Sequence, residues 1–157
     1  MKVLMDADCL IKLTKAGLKE GICQHFQVMI PSVVEREVVE AGKAKGCPDA
    51  NSIEKNIQKE LLKVTKAKPS GRIGGDQALI EISQKGRYDI VATDDGKLIR
   101  FLRSAGIPFI FPGLLIYLLF RKGEIGLDVA LNWLERLSPL VSSEEYSMVR
   151  LLLEERR

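Results

Sequence analysis

Two carboxylates set two residues apart, Asp6 and Asp8, follow the apolar run VLM near the N-terminus, and two adjacent ones, Asp94 and Asp95, follow the run IVAT. Like charges gathered where a strand ends oppose one another unless water, a cation or a hydrogen-bond donor relieves them. Asp76 comes directly after Gly74 and Gly75, at the opening of a helical pattern. Glu37 lies inside the helical pattern that begins at Ser32. At about 100° per residue it falls on or beside the inward stripe of Val33, Val34 and Ala41. Glu35 has a local explanation, since Ser32 and Glu35 have capping-box spacing. No histidine or cysteine joins these acids, so they offer hard oxygen donors only, suited to Mg²⁺ or Mn²⁺ and not to zinc. Such an ion polarises a phosphodiester and lowers the pKa of a bound water. Glycosidase chemistry needs only two carboxyls flanking a sugar and gives no reason for a cluster of four. Metal-dependent phosphodiester hydrolysis is the chemistry this set fits.

Such a cluster needs elements that bring it together. Short apolar runs rich in Val, Ile and Phe, namely KVLMD, FQVMI, LKVT, YDIVAT and IPFIF, alternate with helical patterns. Strands alternating with helices imply a parallel sheet covered on both faces. The pattern predicts an α/β protein, a three-layer α/β/α sandwich with a five-stranded parallel sheet. In an open parallel sheet, ligands bind beyond the carboxyl ends of the strands. That rule gathers Asp6, Asp76, Asp94 and Asp95 at one rim.

The segment AGKAKGCPDANS, residues 41 to 52, reads as a mobile surface loop. After Phe111 come three helical patterns, GLLIYLLF, LDVALNWLERL and EEYSMVRLLLEE. In the second, Leu127, Leu131, Leu134 and Leu137 form one apolar stripe, with Trp133 expected beside it or at a helix interface. Ser142 and Glu145 have the spacing of a capping box that opens the third. Residues 113–157 are expected to form a helical extension packed on the domain of residues 1–112, with a dimer or partner interface as the alternative.

A chain of 157 residues suits one domain and can bury a core without disulfides. The net charge of +3 is uneven: from Lys43 to Arg72 there are eight Lys/Arg against three acids. This mild basic belt attracts polyanions without identifying one. Lys12, Lys43, Lys45, Arg72 and Lys97 are the candidates to hold a nucleic-acid backbone. Cys9, Cys23 and Cys47, with the single His25, form no zinc-ligand spacing and read as reduced thiols of a cytosolic, cytoplasmic protein. The longest apolar stretch, IPFIFPGLLIYLLF, is short and interrupted by Pro108 and Pro112, so no membrane span is expected.

Taken together, VLMDADCLI, PSVVEREV, GGDQALIEIS and IVATDDGKLIRFLRSAGIPFI resemble the PIN-domain nucleases, in that family's order and along most of residues 1 to 112. That family includes toxins of toxin-antitoxin pairs and enzymes of RNA processing. The resemblance implies a metal-dependent endoribonuclease whose catalytic set is Asp6, Glu37, Asp76 and Asp95. These would hold Mg²⁺ or Mn²⁺, with Asp94 as a further ligand and Asp8 and Thr93 in support. Asp8 stands where the family usually has Ser or Asn, and Asp94 where Asn or another polar residue is common. RNA is the implied substrate, and an antitoxin protein and a homodimer are the partners that such a family allows. Two other readings stand beside it. One is a non-catalytic PIN-like module that binds RNA or serves as a scaffold. The other is a haloacid dehalogenase-type phosphatase, because DAD has the spacing of that family's nucleophile and general acid, although Leu10 replaces the usual Thr or Val.

Overall fold

Each apolar run expected to be a strand is one: β1 (Lys2–Met5), β2 (Gln27–Ile30), β3 (Lys63–Val64), β4 (Ile90–Ala92) and β5 (Phe109–Ile110). They are seen in a computed structural model that describes residues 1–65, 75–86 and 88–155. The five pair in parallel in the order β3-β2-β1-β4-β5, with Val3 of the central strand opposite Val28 on one side and Ile90 on the other. Strand residues alternate between two apolar clusters. Val3, Met5, Val28, Ile30 and Ala92 face one, and Leu4, Val91, Met29 and Phe109 face the other. A strand buried on both faces reads as an unbroken apolar run, which is why the runs could be recognised.

Helices cover both faces. Against Leu4 and Val91 pack α6 (Gly75–Lys85) and α7 (Gly96–Ser104), through Leu79, Ile82, Leu98 and Leu102. The larger cluster on the other face takes α1 (Ala7–Lys15), α2 (Lys19–His25), α5 (Pro48–Gln58), α8 (Pro112–Arg121), α9 (Leu127–Leu137) and α10 (Ser143–Glu155). It also takes a continuous helical stretch in which α3 (Ser32–Glu35) passes through a π-helix (Arg36–Glu40) into α4 (Ala41–Ala44). The result is the expected three-layer α/β/α sandwich. Leu134 and Leu137 are buried, Leu127 and Leu131 half-buried, and the Trp133 ring packs on the Gly21 backbone of α2. Among the described residues, no helix is long and apolar enough to cross a membrane.

Two local expectations are corrected. Residues 41–52 are largely helical, with only Lys45–Cys47 between α4 and α5. Pro48 starts α5 at a position where its missing N–H is not needed, and the buried Ala50 and Ile53 give that helix an inward face that its polar composition concealed. The Ser32–Glu35 capping box does not form. Pro31 occupies the cap position, in the extended conformation at the end of β2, and its carbonyl receives the amides of Val34 and Glu35. Ser32 is therefore already inside the helix.

After β3 the chain crosses to the far side of β1 to build β4 and β5. The connections leaving β1 and β4 part in opposite directions, which opens a crevice beyond their carboxyl ends.

Candidate active site

Asp6 ends β1 and caps α1 in the crevice. Its Oδ1 accepts the Cys9 amide at 2.8 Å, and its Oδ2 accepts the Thr93 hydroxyl at 2.5 Å. Thr93, fully buried just after β4, accepts in turn from the Asp95 amide at 3.1 Å, and Asp95 caps α7 by accepting the Leu98 amide at 2.8 Å. One hydroxyl thus links two helix-capping carboxylates across neighbouring strands, donating to one and accepting from the backbone of the other. Asp6 is only 4 % exposed. Burial pushes its pKa up to about 6; the bonds from Thr93 and Cys9 oppose this, and the charges of Asp8 and Asp94 reinforce it.

Glu37 arrives by way of the π-helix, where the Ala41 amide bonds back to the Arg36 carbonyl. The wider turn takes Glu37 out of α-helical register: Val38 and Val39 are buried and Glu37 is exposed, instead of lying on the inward stripe. Such turns occur often at functional sites. The start of α6 approaches it closely, since a Cβ on Gly75 would lie 3.2 Å from Glu37 Oε2. The next residue, Asp76, has a pKa raised by partial burial and by Asp95, against the opposing charge of Lys97.

Asp6, Asp8, Glu37, Asp76 and Asp95 together line one depression of about 460 Å³. Among the described residues no three of Asp, Glu, His and Cys converge closely enough to form a metal cage as they stand. The donors along this depression are nonetheless all carboxylate oxygens, which in kind fit a hard divalent cation.

A family model described as a PIN domain matches residues 2–155. The chain belongs to the PIN-domain family. No curated protein matches the sequence closely. PIN domains are generally nucleases and generally use divalent metal ions. The match extends beyond Phe111 through α8, α9 and α10.

In this PIN domain Asp94 is not brought into the carboxylate depression. Its Oδ2 accepts from Lys12 Nζ at 2.7 Å, and the same ammonium lies 2.9 Å from Asp8 Oδ2. Burial by itself would lower the Lys12 pKa, but the bonds to Asp94 and Asp8 outweigh it and hold the group above its usual value. Lys12 thus serves as counter-ion to the rim. Of the other basic candidates, Lys43 pairs with Glu54 at 2.6 Å, and Lys45 and Lys97 are exposed. Arg72 lies outside the described residues. The nucleophile-and-acid reading of DAD finds no support in the family match, and Asp8, its proton donor, turns to Lys12.

Sequence reasoning put no side chain of the C-terminal helices at this rim, yet Glu145 is there. Half of the expected capping box forms, with the Glu145 amide donating to Ser142 Oγ at 3.1 Å. The carboxylate, however, leaves α10 and accepts the Gly113 amide at 2.9 Å, at the start of α8. Burial pushes its pKa up to about 7, with Asp94 adding to the rise and the Gly113 bond and Lys12 opposing it. The available signal was at the other end of that bond: α8 opens after Phe111, which supplies no capping side chain, so its amides need an acceptor from elsewhere.

Proposed function

We propose that this PIN domain is a metal-dependent endoribonuclease that hydrolyses RNA phosphodiester bonds at the carboxylate depression. The observation that carries the reading is the gathering of Asp6, Asp8, Glu37, Asp76 and Asp95 along one opening at the carboxyl edge of a parallel sheet, in a family whose members are generally nucleases. Asp6, Glu37, Asp76 and Asp95 would hold the Mg²⁺ or Mn²⁺, which supplies, when bound, the Lewis-acid polarisation of the phosphodiester. The chain's own contribution is positional. Thr93 and the Cys9 amide fix both oxygens of Asp6, the Leu98 amide fixes one of Asp95, and Glu37 and Asp76 close the opening from a second side. Lys12 pairs with both Asp8 and Asp94 and so offsets part of the negative charge at the rim. Lys45 and Lys97, both exposed, would meet the phosphates of an RNA strand. Three free thiols, two of them buried, suit a reducing compartment, and the reading places the enzyme in the cytoplasm.

The test is cleavage of a labelled single-stranded RNA in Mn²⁺, in Mg²⁺ and in EDTA, with wild type beside Asp6→Asn and Asp76→Asn. Cleavage that needs the metal and disappears in both variants is the expected result. RNA that binds but stays intact, in a protein whose melting temperature does not respond to Mn²⁺, would overturn the enzyme reading and leave a non-catalytic RNA-binding module.

A further inference from the structure

A second depression, of about 530 Å³, adjoins the first and shares Asp8 and Asp95 as common walls. It lies between α1, α7 and α10, and its volume is that of a small-molecule site. Ile99, Phe111 and Met148 give it an apolar surface, while Glu144, Glu145 and Ser142 bring oxygen acceptors. Among the described residues its one lining cation, Lys12, is already engaged by Asp8 and Asp94. An anion has little to bind here. A flat, uncharged ring that carries N–H donors meets both the apolar surface and the acceptors.

Glu145 sharpens the case. It is 5 % exposed, and its Oε2 is committed to the Gly113 amide. Its other oxygen has no hydrogen-bond partner among the described residues, although the side chain lines the depression. That oxygen is not sealed from solvent, so it can take a donor offered within the depression. Its aim is also fixed: a Cβ on residue 113 would lie 3.1 Å from Oε2 and 3.0 Å from Val149 Cγ2, so the approach depends on glycine.

We propose that this depression is a nucleobase subsite, in which Glu145 accepts from the amino edge of a base neighbouring the phosphate that a cation at the carboxylates would hold. The inference rests on the nuclease reading for its substrate class. Single-stranded RNA is read in this manner, by unstacked bases laid on apolar or aromatic side chains and hydrogen-bonded along their edges. Adenine, cytosine and guanine each offer an exocyclic amino group; uracil flanks its one N–H with carbonyls, which would face the Glu144 and Glu145 acceptors.

The experiment measures binding of fluorescein-labelled oligouridine, and of the same strand carrying one A, C or G, by anisotropy in EDTA, so that turnover is not required. Wild type is expected to bind at least one substituted strand about tenfold more tightly than oligouridine. Glu145→Gln keeps a carbonyl for the Gly113 amide and turns an NH₂ into the depression, so the preference should disappear or reverse toward uracil. Met148→Ala should weaken every strand several-fold and keep the order. Equal binding of all strands by wild type, or an unchanged preference in Glu145→Gln, overturns the subsite. Should Glu145→Gln not fold, Met148→Ala decides, because that residue is 36 % exposed and its truncation spares the fold: unchanged affinity overturns the proposal. A parallel Mn²⁺ cleavage assay separates the two readings. Base preference without cleavage supports the subsite and removes the nuclease, and cleavage without base preference does the reverse.

Discussion

Asp6→Asn reads out what the fold gives up to keep a carboxylate at the end of β1. The native group titrates near 6, against an ordinary 3.8, because burial outweighs its two hydrogen bonds. Between those values the native state binds more protons than the unfolded chain. Stability therefore falls as pH rises through that interval; the cost is absent below 3.8 and fully present above about 6. At about 1.36 kcal/mol per pH unit, it amounts to ~3 kcal/mol at neutral pH. Asparagine removes the charge and caps a helix as well as aspartate does. Its carbonyl still accepts the Cys9 amide, and its NH₂ donates to Thr93 Oγ1, which can reverse its role. Losing a charged acceptor for Thr93 returns about 1 kcal/mol of the gain. The variant should thus be more stable by ~2 kcal/mol, a rise in Tm of roughly 4–8 °C for a domain of this size.

The assay is thermal unfolding of both proteins by circular dichroism, in metal-free buffer, from pH 4 to pH 8.5. The difference should be full at pH 8 and close to nothing at pH 4, where the wild-type carboxyl is itself protonated. Adding Mn²⁺ at pH 8 should then raise the wild type alone, since a ligand that binds only the native state stabilises it by mass action. An asparagine variant that melts at or below wild type at pH 8 without metal would refute the reasoning, as would a difference that does not change with pH.

Thr93→Val keeps the shape and loses both bonds of the hydroxyl, so urea unfolding at pH 8 should show a loss of about 1–3 kcal/mol, with cleavage reduced through a misplaced Asp6. Lys12→Met should cost about 1–3 kcal/mol at pH 8 by leaving Asp8 and Asp94 without their cation. Because the Lys12 pKa is raised, the wild-type advantage should be complete below the ordinary 10.5 and lost as pH climbs past it. Gly113→Ala should lose about 1–3 kcal/mol to overpacking against Val149, and a titration of Glu145 should move with it as the carboxylate is displaced.

The strands and the strand-end positions of Asp6 and Asp95 were readable because each depends on neighbours in sequence. β1 and β4 are apolar on both faces, and Asp6 and Asp95 stand where a strand gives way to a helix, so type and position pointed to the same edge. Glu37 was recognised as chemistry but given the wrong direction. Its projection assumed an α-helix, and a single slip from i→i−4 to i→i−5 bonding between Ala41 and Arg36 turned it outward without altering the apolar spacing of Val34, Val38 and Val39. The loop assigned to residues 41–52 failed for a similar reason, since the two positions that bury α5, Ala50 and Ile53, are few among polar neighbours.

Glu145 marks a different limit. Its spacing from Ser142 was correctly read and does yield one bond, but a capping box assigns the carboxylate to its own helix. What takes it away is an amide 32 positions earlier, at the opening of a helix whose own cap residue, Phe111, has no acceptor to offer. Neither half of that pair stands out in sequence, because each has a sufficient local reading: a proline and a glycine beginning an apolar helix, and a glutamate in the first turn of another. The need joins them only when α8 and α10 pack together, with Val149 against Gly113. The same packing forms the second depression beside the carboxylates. The C-terminal helices therefore do more than cover one face of the sheet, since one of their side chains forms a wall of the concave surface adjoining the rim.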